Sequence, residues 1–290
     1  MSDDHKQIDE ISGVRTTGHE WDGIRELDNP MPRWWLWTFY ATIVWAIAFT
    51  IFYPAWPMVS SATKGVLGYS SRGNVQAEMT DAEAAKASYV AAIANKSVTE
   101  ILADPSLRDF AVASGSAAFK VNCVQCHGSG AEGSMGYPNL NDDDWLWGGT
   151  PEQIYTTISH GIRFAGDDDT HVSEMPAFAE VLEPAQINEV AAYVYSLSGN
   201  TPANAAMVEP GKQVFADNCV ACHGDKAEGN KELGAPNLAN SIWLYGHTEE
   251  AIASQVRHPR HGVMPAWAGR LGDTKVKELA VYVYSLGGGE

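Results

Sequence analysis

Cys123-Val-Gln-Cys-His-Gly-Ser-Gly-Ala-Glu-Gly133 is answered later in the chain by Cys219-Val-Ala-Cys-His-Gly-Asp-Lys-Ala-Glu-Gly229, with eight of the eleven positions identical. All four cysteines of the 290-residue chain fall in these two C-x-x-C-H motifs, so none is left for a disulfide. The pattern is that of c-type haem attachment: one turn of helix brings two sulfurs to the edge of the porphyrin and turns the next side chain, His127 or His223, toward the iron. A zinc site or a thioredoxin-like pair shares the C-x-x-C spacing, but neither requires the adjoining histidine, nor its duplication. The correspondence continues through Pro138-Asn139-Leu140 and Pro236-Asn237-Leu238, Met175-Pro176 and Met264-Pro265, and Tyr193-Val-Tyr-Ser-Leu197 and Tyr282-Val-Tyr-Ser-Leu286. These are two copies of one helical domain. Between Trp147 and Met175 the first copy carries about nine extra residues, including Asp167-Asp168-Asp169.

An iron that shuttles electrons needs a sixth ligand, and Met175 and Met264 are the expected ones, following their own copy's histidine by 48 and 41 residues. A thioether raises the reduction potential relative to a second imidazole and leaves no open position for chemistry. His160 and His171 stand as rivals in the first copy, and His247, His258 and His261 in the second. Met135 lies too close to His127 in sequence to cross the ring plane. Gly115-Ser-Ala-Ala-Phe119 and Gly211-Lys-Gln-Val-Phe215 place a glycine four residues before an aromatic anchor, which lets another helix cross closely. The expected crossing partner is the last helix of the same copy, bearing Tyr193 and Tyr195 or Tyr282 and Tyr284. Trp145, Trp147, Trp243 and Tyr245 either close the haem pockets, donate to a propionate, or simply pack in the core, with Arg163 and Arg257 as other donors.

Trp34 to Thr63 contains no charged residue. At 1.5 Å per residue, the twenty residues from Trp34 to Tyr53 match a hydrocarbon core of about 30 Å. Trp34, Trp35 and Trp37 mark one interface and Tyr53 and Trp56 the other, with Pro54 and Pro57 closing the helix. The run is too long, and starts too late, for a cleaved signal peptide. Lys6, Arg15, Arg25 and Arg33 precede it, and only Lys64 and Arg72 follow soon after, which favours a cytoplasmic N-terminus and periplasmic haem domains. Haem attachment outside the cytosol agrees with that topology. Residues 57–79 read as a Ser/Gly/Ala-rich linker, Thr80 with Glu83 as a capping box, and Asp104-Pro105 as the start of a further helix. No strand alternation of useful length is expected, so the fold class is all-α: one transmembrane helix followed by two tandem haem domains.

The net charge of −17 excludes a nucleic-acid partner, since no basic stripe offsets it. Of that charge, −12 falls in residues 80–204, so a basic soluble protein would be steered to the first haem domain. Asp142-Asp143-Asp144 and Asp167-Asp168-Asp169 read as solvated acidic loops, since consecutive aspartates do not converge on a calcium ion unaided.

Together the Gly-x-x-x-Phe, C-x-x-C-H, Met-Pro and final aromatic helix resemble the class I cytochrome c fold, present twice over residues 105–290. Ahead of them, His19-Glu-Trp-Asp-Gly-Ile-Arg-Glu-Leu-Asp-Asn-Pro-Met-Pro-Arg-Trp-Trp35, followed by a single span, is similar to the N-terminal segment of the di-haem subunit of cbb3-type cytochrome c oxidases, also called FixP-like or subunit III. That resemblance implies five segments: a cytoplasmic 1–33, a transmembrane 34–56, a linker 57–79, and cytochrome c domains at 80–204 and 205–290. It implies two covalently bound haem c groups on Cys123, Cys126, Cys219 and Cys222, with iron ligands His127, His223, Met175 and Met264. It also implies a single-pass protein of a bacterial inner membrane. Its partners would be lipid, a haem-copper catalytic subunit that reduces dioxygen, a mono-haem c-type subunit and a basic periplasmic cytochrome c donor. The chain itself would be a non-catalytic electron-transfer subunit of a proton-translocating oxidase. A tethered shuttle of the cytochrome c4 kind and a di-haem peroxidase are the competing classes, the latter requiring an iron with an open position.

Overall fold

The computed structural model describes residues 8–289, leaving Lys6 of the topology argument outside the described residues. Packing divides the chain into two compact units, Met1–Ala85 and Lys86–Glu290.

In the first unit, β1 (Thr16–Trp21) and β2 (Ile24–Leu27) form an antiparallel hairpin, a departure from the all-helical expectation. Asp22 and Gly23 join the strands with φ of +47° and +82°. Asp-Gly is the dipeptide that accepts two successive positive φ angles, so the hairpin signal was present but short. Helix α1 (Arg33–Phe52) has no buried residue, as expected of a helix whose side chains face lipid. It ends earlier than residue 56 because Pro54 forces the preceding Tyr53 into extended backbone, φ −116° and ψ 160°. The expected linker is also partly ordered. Thr63 Oγ1 accepts from the Ala55 and Trp56 amides at 3.3 and 3.1 Å, and α2 (Ser71–Ala94) begins well before Thr80. Ser70 Oγ accepts from Gly73 N at 3.2 Å, starting that helix, and Thr80 donates to Gln76 O within it instead of capping.

The second unit holds α3 (Val98–Ala103), α4 (Pro105–Asn122), α5 (Val124–His127), α6 (Pro151–His160), α7 (Pro184–Leu197), α8 (Val208–Asn218), α9 (Val220–His223), α10 (Glu249–Arg257), α11 (Ala268–Leu271) and α12 (Asp273–Tyr284). Local sequence explains most starts. Asp104 accepts from Ser106 N and Leu107 N ahead of Pro105, and Ser97–Glu100 and Thr150–Gln153 form capping boxes ahead of α3 and α6. Thr248 accepts from Ala251 N at 3.1 Å to open α10.

Two hydrophobic cores result, and their membership is exchanged between the copies. The first joins Ile101, Phe119, Ile154 and Ile158 of the first copy to Val276, Leu279, Ala280 and Val283 of the second. The second joins Val214, Phe215, Ile252 and Val256 of the second copy to Ile187, Val190, Ala191 and Val194 of the first. Gly115 lies where an added Cβ would sit 2.2 Å from Glu278 O and 2.7 Å from Tyr282 Cβ. At Gly211 a Cβ would sit 2.0 Å from Glu189 O. Phe119 packs on Tyr282 with centroids 5.4 Å apart, and Phe215 on Tyr193 at 5.5 Å. The glycine-aromatic signature thus chose the expected kind of helix from the other copy. The two last helices present the same Tyr-Val-Tyr-Ser-Leu surface, so the sequence pattern fits either pairing. A division at 204/205 therefore passes through the second core, in the connection between α7 and α8.

Candidate haem sites

Each C-x-x-C-H motif folds as a single helical turn at the end of the glycine-bearing helix. Cys123 and Cys219 are the residues that flank α5 and α9, and the His127 and His223 amides donate to their carbonyls at 3.0 and 2.9 Å. Cys126 and Cys222 are exposed, Cys123 and Cys219 half-buried, and no two cysteines are bonded to each other. Burial, with a smaller contribution from the neighbouring cysteine, pushes the Cys123 and Cys219 thiols up to about 11. Such a thiol stays protonated at neutral pH until it reacts. It suits a sulfur destined for a covalent thioether.

His127 Nδ1 lies 3.1 Å from Pro138 O and His223 Nδ1 3.0 Å from Pro236 O. A carbonyl can only accept, so Nδ1 carries the proton and Nε2 keeps its lone pair. Burial holds both imidazoles below their ordinary pKa, against a smaller opposing pull from those carbonyls. Both are therefore neutral imidazoles of fixed orientation, suited to ligate an iron. Pro-Asn-Leu recurs in both copies, and that repetition is the signal in the sequence for this role, which the motif alone does not specify.

His127 faces an apolar cavity whose walls include Cys123, Phe119, Leu140, Trp145, Trp147, Ile154, Ile158, Ile162, Leu279, Val283 and Met264. This donor set fits a haem: the Cys123 sulfur in the wall with Cys126 exposed three residues on, a neutral imidazole, a thioether, and mostly hydrocarbon elsewhere. Met264 is held beside Ile162 by reciprocal backbone bonds, Ile162 N to Met264 O at 2.9 Å and Met264 N to Ile162 O at 3.0 Å. Met175 is not in this cavity. It packs instead in the second core, with Cys219, Val220, Leu238 and Trp243.

The rival histidines are engaged elsewhere. His160 Nδ1 lies 3.1 Å from Asp167 Oδ1, and His171 stacks on Trp147 at 4.2 Å with its Nε2 3.2 Å from Thr157 Oγ1. His247, His258 and His261 are exposed, and His261 Nε2 donates to the Met175 carbonyl at 3.1 Å. Met135 is 70% exposed and reaches neither core. Trp145 and Trp147 close the first cavity, but Trp145 Nε1 donates to Gly288 O, not outward. Arg163 donates to Gly262 O and Ser173 O at 2.8 and 2.7 Å, pinning the inserted loop. Trp243 packs on the second core, Tyr245 lies under the Arg260 guanidinium, and Arg257 closes α10. Of the acidic runs, Asp144 accepts from Asn240 at 3.0 Å, and Asp167 is spent on His160 and on the Asp169 amide.

Comparison with known proteins agrees with these sites. Residues 13–60 match the N-terminal domain of cytochrome oxidase-cbb3, FixP, and residues 110–194 and 206–283 match cytochrome c oxidase, cbb3-type, subunit III. The chain is 62% identical over 290 residues, all of both chains, to a cbb3-type cytochrome c oxidase subunit FixP of Sinorhizobium medicae. It is 64% identical over 284 residues to a subunit FixPc of Rhizobium leguminosarum bv. viciae, covering 98% of this chain and 99% of the relative. A subunit CcoP of Cereibacter sphaeroides is 52% identical over 277 residues, 95% of each chain. With both haem motifs and the apolar helix inside the matched regions, the chain belongs to the cbb3-type cytochrome c oxidase subunit III family, the FixP/CcoP subunits.

Proposed function

We propose that this chain is the membrane-anchored di-haem electron-transfer subunit of a cbb3-type oxidase, taking electrons from a basic periplasmic cytochrome c and passing them toward the haem-copper, oxygen-reducing subunit, beside a mono-haem c-type subunit. One haem c is carried by Cys123 and Cys126 and the other by Cys219 and Cys222. The irons are ligated by His127, His223, Met175 and Met264. The observation behind this reading is the doubled arrangement itself: a histidine, half-buried at 127 and buried at 223, oriented by a proline carbonyl, with one methionine packed in the same core. Bound haem supplies a reversible one-electron couple.

The residues of the chain set the conditions for that couple. Pro138 and Pro236 fix the imidazole tautomer, the apolar walls exclude water, and a thioether ligand stabilises the reduced state relative to a second imidazole. A methionine in each core argues against the open iron of a peroxidase. Arg15 and Arg25 ahead of α1 and Arg33 at its first position outnumber Lys64 and Arg72 after it, favouring a cytoplasmic N-terminus in a bacterial inner membrane. The acidic inserted loop, with Asp168 and Asp169 exposed, offers a basic donor a docking surface beside the first cavity.

Purification from detergent-solubilised membranes tests the reading. The chain should copurify with a haem-copper subunit, and oxygen reduction with a cytochrome c donor should require it. A chain that purifies alone with both haems intact, from membranes whose oxidase still turns over, would be a free-standing shuttle.

A further inference from the structure

We propose that residues 54–69, between the membrane helix and α2, form an ordered cap seated in the headgroup layer of the bilayer, with Met58, Val59, Val66 and Leu67 against lipid. The Ser/Gly/Ala content of this segment is that of a linker. Its hydrogen bonding is not.

The segment is tied to the end of the span. Twenty residues of α1 give about 30 Å of helix, so its last turn ends where the hydrocarbon does. The chain then returns onto that turn: the Val66 and Leu67 amides donate to the Ile51 and Phe52 carbonyls at 2.9 and 3.1 Å. Gly65, at φ +69°, passes so close that an added Cβ would overlap the Phe52 carbonyl. Between these points Thr63 N donates to Trp56 O at 2.9 Å and Met58 N to Ser61 O at 2.6 Å, closing a turn. The Tyr69 ring meets Tyr53 edge-on, with centroids 5.5 Å apart. The segment therefore starts and finishes at the depth where α1 leaves the hydrocarbon.

What the cap exposes suits that depth. Trp56, Met58, Val59, Val66, Leu67 and Tyr69 are all exposed, Val66 at 74% and Val59 completely. Lys64 is the only charged residue from 54 to 70, and its long stem lets the ammonium reach water. Apolar side chains flanked by aromatic rings are what the interface takes. The backbone can enter this less polar layer because its groups are paired within the cap. The Ala55 and Trp56 amides donate to Thr63 Oγ1, and Pro54 and Pro57 have no N–H to satisfy. Lipid is the occupant favoured over a protein, since this surface continues that of α1, which buries no residue, and offers only Lys64 to orient a charged partner. Helix α2 begins at Ser71, two residues past Tyr69, so it starts from a fixed depth and not from the end of a free tether.

The test reads depth in the full-length di-haem chain, reconstituted in phosphatidylcholine nanodiscs. Val59→Cys, Leu67→Cys and, at mid-span, Val44→Cys are made singly and labelled with an environment-sensitive fluorophore; the haem cysteines, held as thioethers, do not take it. Emission is compared with and without each quencher, so energy transfer to the haems cancels. The Val59 and Leu67 labels should lose most of their emission to lipid spin-labelled near the headgroup, and less to lipid spin-labelled at the chain end or to iodide in the water. The Val44 label should show the reverse order for the two lipids. Iodide quenching of the Val59 and Leu67 labels as strong as that of free fluorophore, with none from either lipid, would put the segment in water. Quenching by neither lipid nor iodide would put protein over it, and quenching greatest at the chain end would put it inside the hydrocarbon. Each of these three results overturns the proposal. Should Leu67→Cys lose its haems, Val59→Cys, at the fully exposed turn, carries the same comparison.

Discussion

The core around His223 is built from one uninterrupted stretch of chain, Met175 through Val256, whereas the core around His127 is built from residues 92–158 and completed only when residues 264–286 return to it. One is nested inside the other. Closing a loop of this length costs entropy that grows only slowly with length, but the contacts that repay it form last. The first core has matching reinforcements. Helix α3 and Ile93 of α2 add apolar surface, and Tyr89 stacks on Phe110 at 4.7 Å. At the α4–α12 crossing, buried Glu278 accepts from Ser114 at 2.7 Å and from Lys275. The corresponding positions of the second core carry Glu189, half-buried, and Gln186, which serves only to cap α7. Repeats of nearly the same sequence thus yield one locally folding core and one that depends on both ends of its domain.

The largest expected effect breaks this asymmetry directly. Ending the chain after Arg257 removes Met264 and α12, so the first haem should lose its sixth ligand and its protection from protease, while the second keeps its spectrum. Spectroscopy of the truncated protein, with limited proteolysis, checks this. Loss confined to the second haem would mean that the cores are not nested in this way.

A smaller effect should separate the two helix crossings. Lys275→Met leaves Glu278 buried with only Ser114, and should destabilise the first core by about 2–4 kcal/mol, somewhat below a fully buried pair because Lys275 is partly exposed. Gln186→Met in the second core removes a cap and should cost about 1 kcal/mol or less. Thermal unfolding followed at each haem band would show equal losses if the crossings were equivalent.

Charge distinguishes the cores more weakly. Replacing Asp167, Asp168 and Asp169 by Asn should slow reduction by a basic cytochrome c a few-fold at low salt and flatten the ionic-strength dependence, because rim charges act through association rate. Glu250→Gln on α10 should leave that slope unchanged. Stopped-flow reduction across a salt series reads both, and a reversed result would move donor docking to the second core.

The smallest effect concerns His171, whose pKa lies below the ordinary imidazole value, chiefly through burial and secondarily through His160 and Arg163. The folded protein therefore binds that proton less readily than the unfolded chain does. The resulting stabilisation is fully present above the unfolded pKa of about 6.5 and is lost as pH falls through it toward the folded value. Between pH 7 and pH 5, His171→Asn should show a slightly shallower decline in Tm than the parent protein. An identical decline would mean that the stack on Trp147 holds the imidazolium equally well.

Much of this was readable along the chain. Cysteine and histidine at C-x-x-C-H spacing, a duplicated Met-Pro, a twenty-residue uncharged run and the cap at Asp104 are local, and local geometry decides them. The Asp22-Gly23 turn, the Ser97–Glu100 box and the Thr248 cap are equally local, but each signal spans only a few residues and stands out weakly from its surroundings. Ser70 opens α2 inside a stretch whose Ser/Gly/Ala composition suggested a linker, and composition cannot see a cap. The sequence by itself determined which residues are the candidates to hold haem and what kind of helix crosses each glycine. Only the tertiary structure decided which copy supplies that helix and its methionine. The physical reason is the repeat: α7 and α12 carry the same Tyr-Val-Tyr-Ser-Leu surface, which by itself favours neither pairing, and the choice falls to the contacts the copies do not share, Glu278 with Ser114 and Lys275 among them, and to chain connectivity, through the inserted loop that pins Ile162 against Met264 and the short connection that returns α8 onto α7.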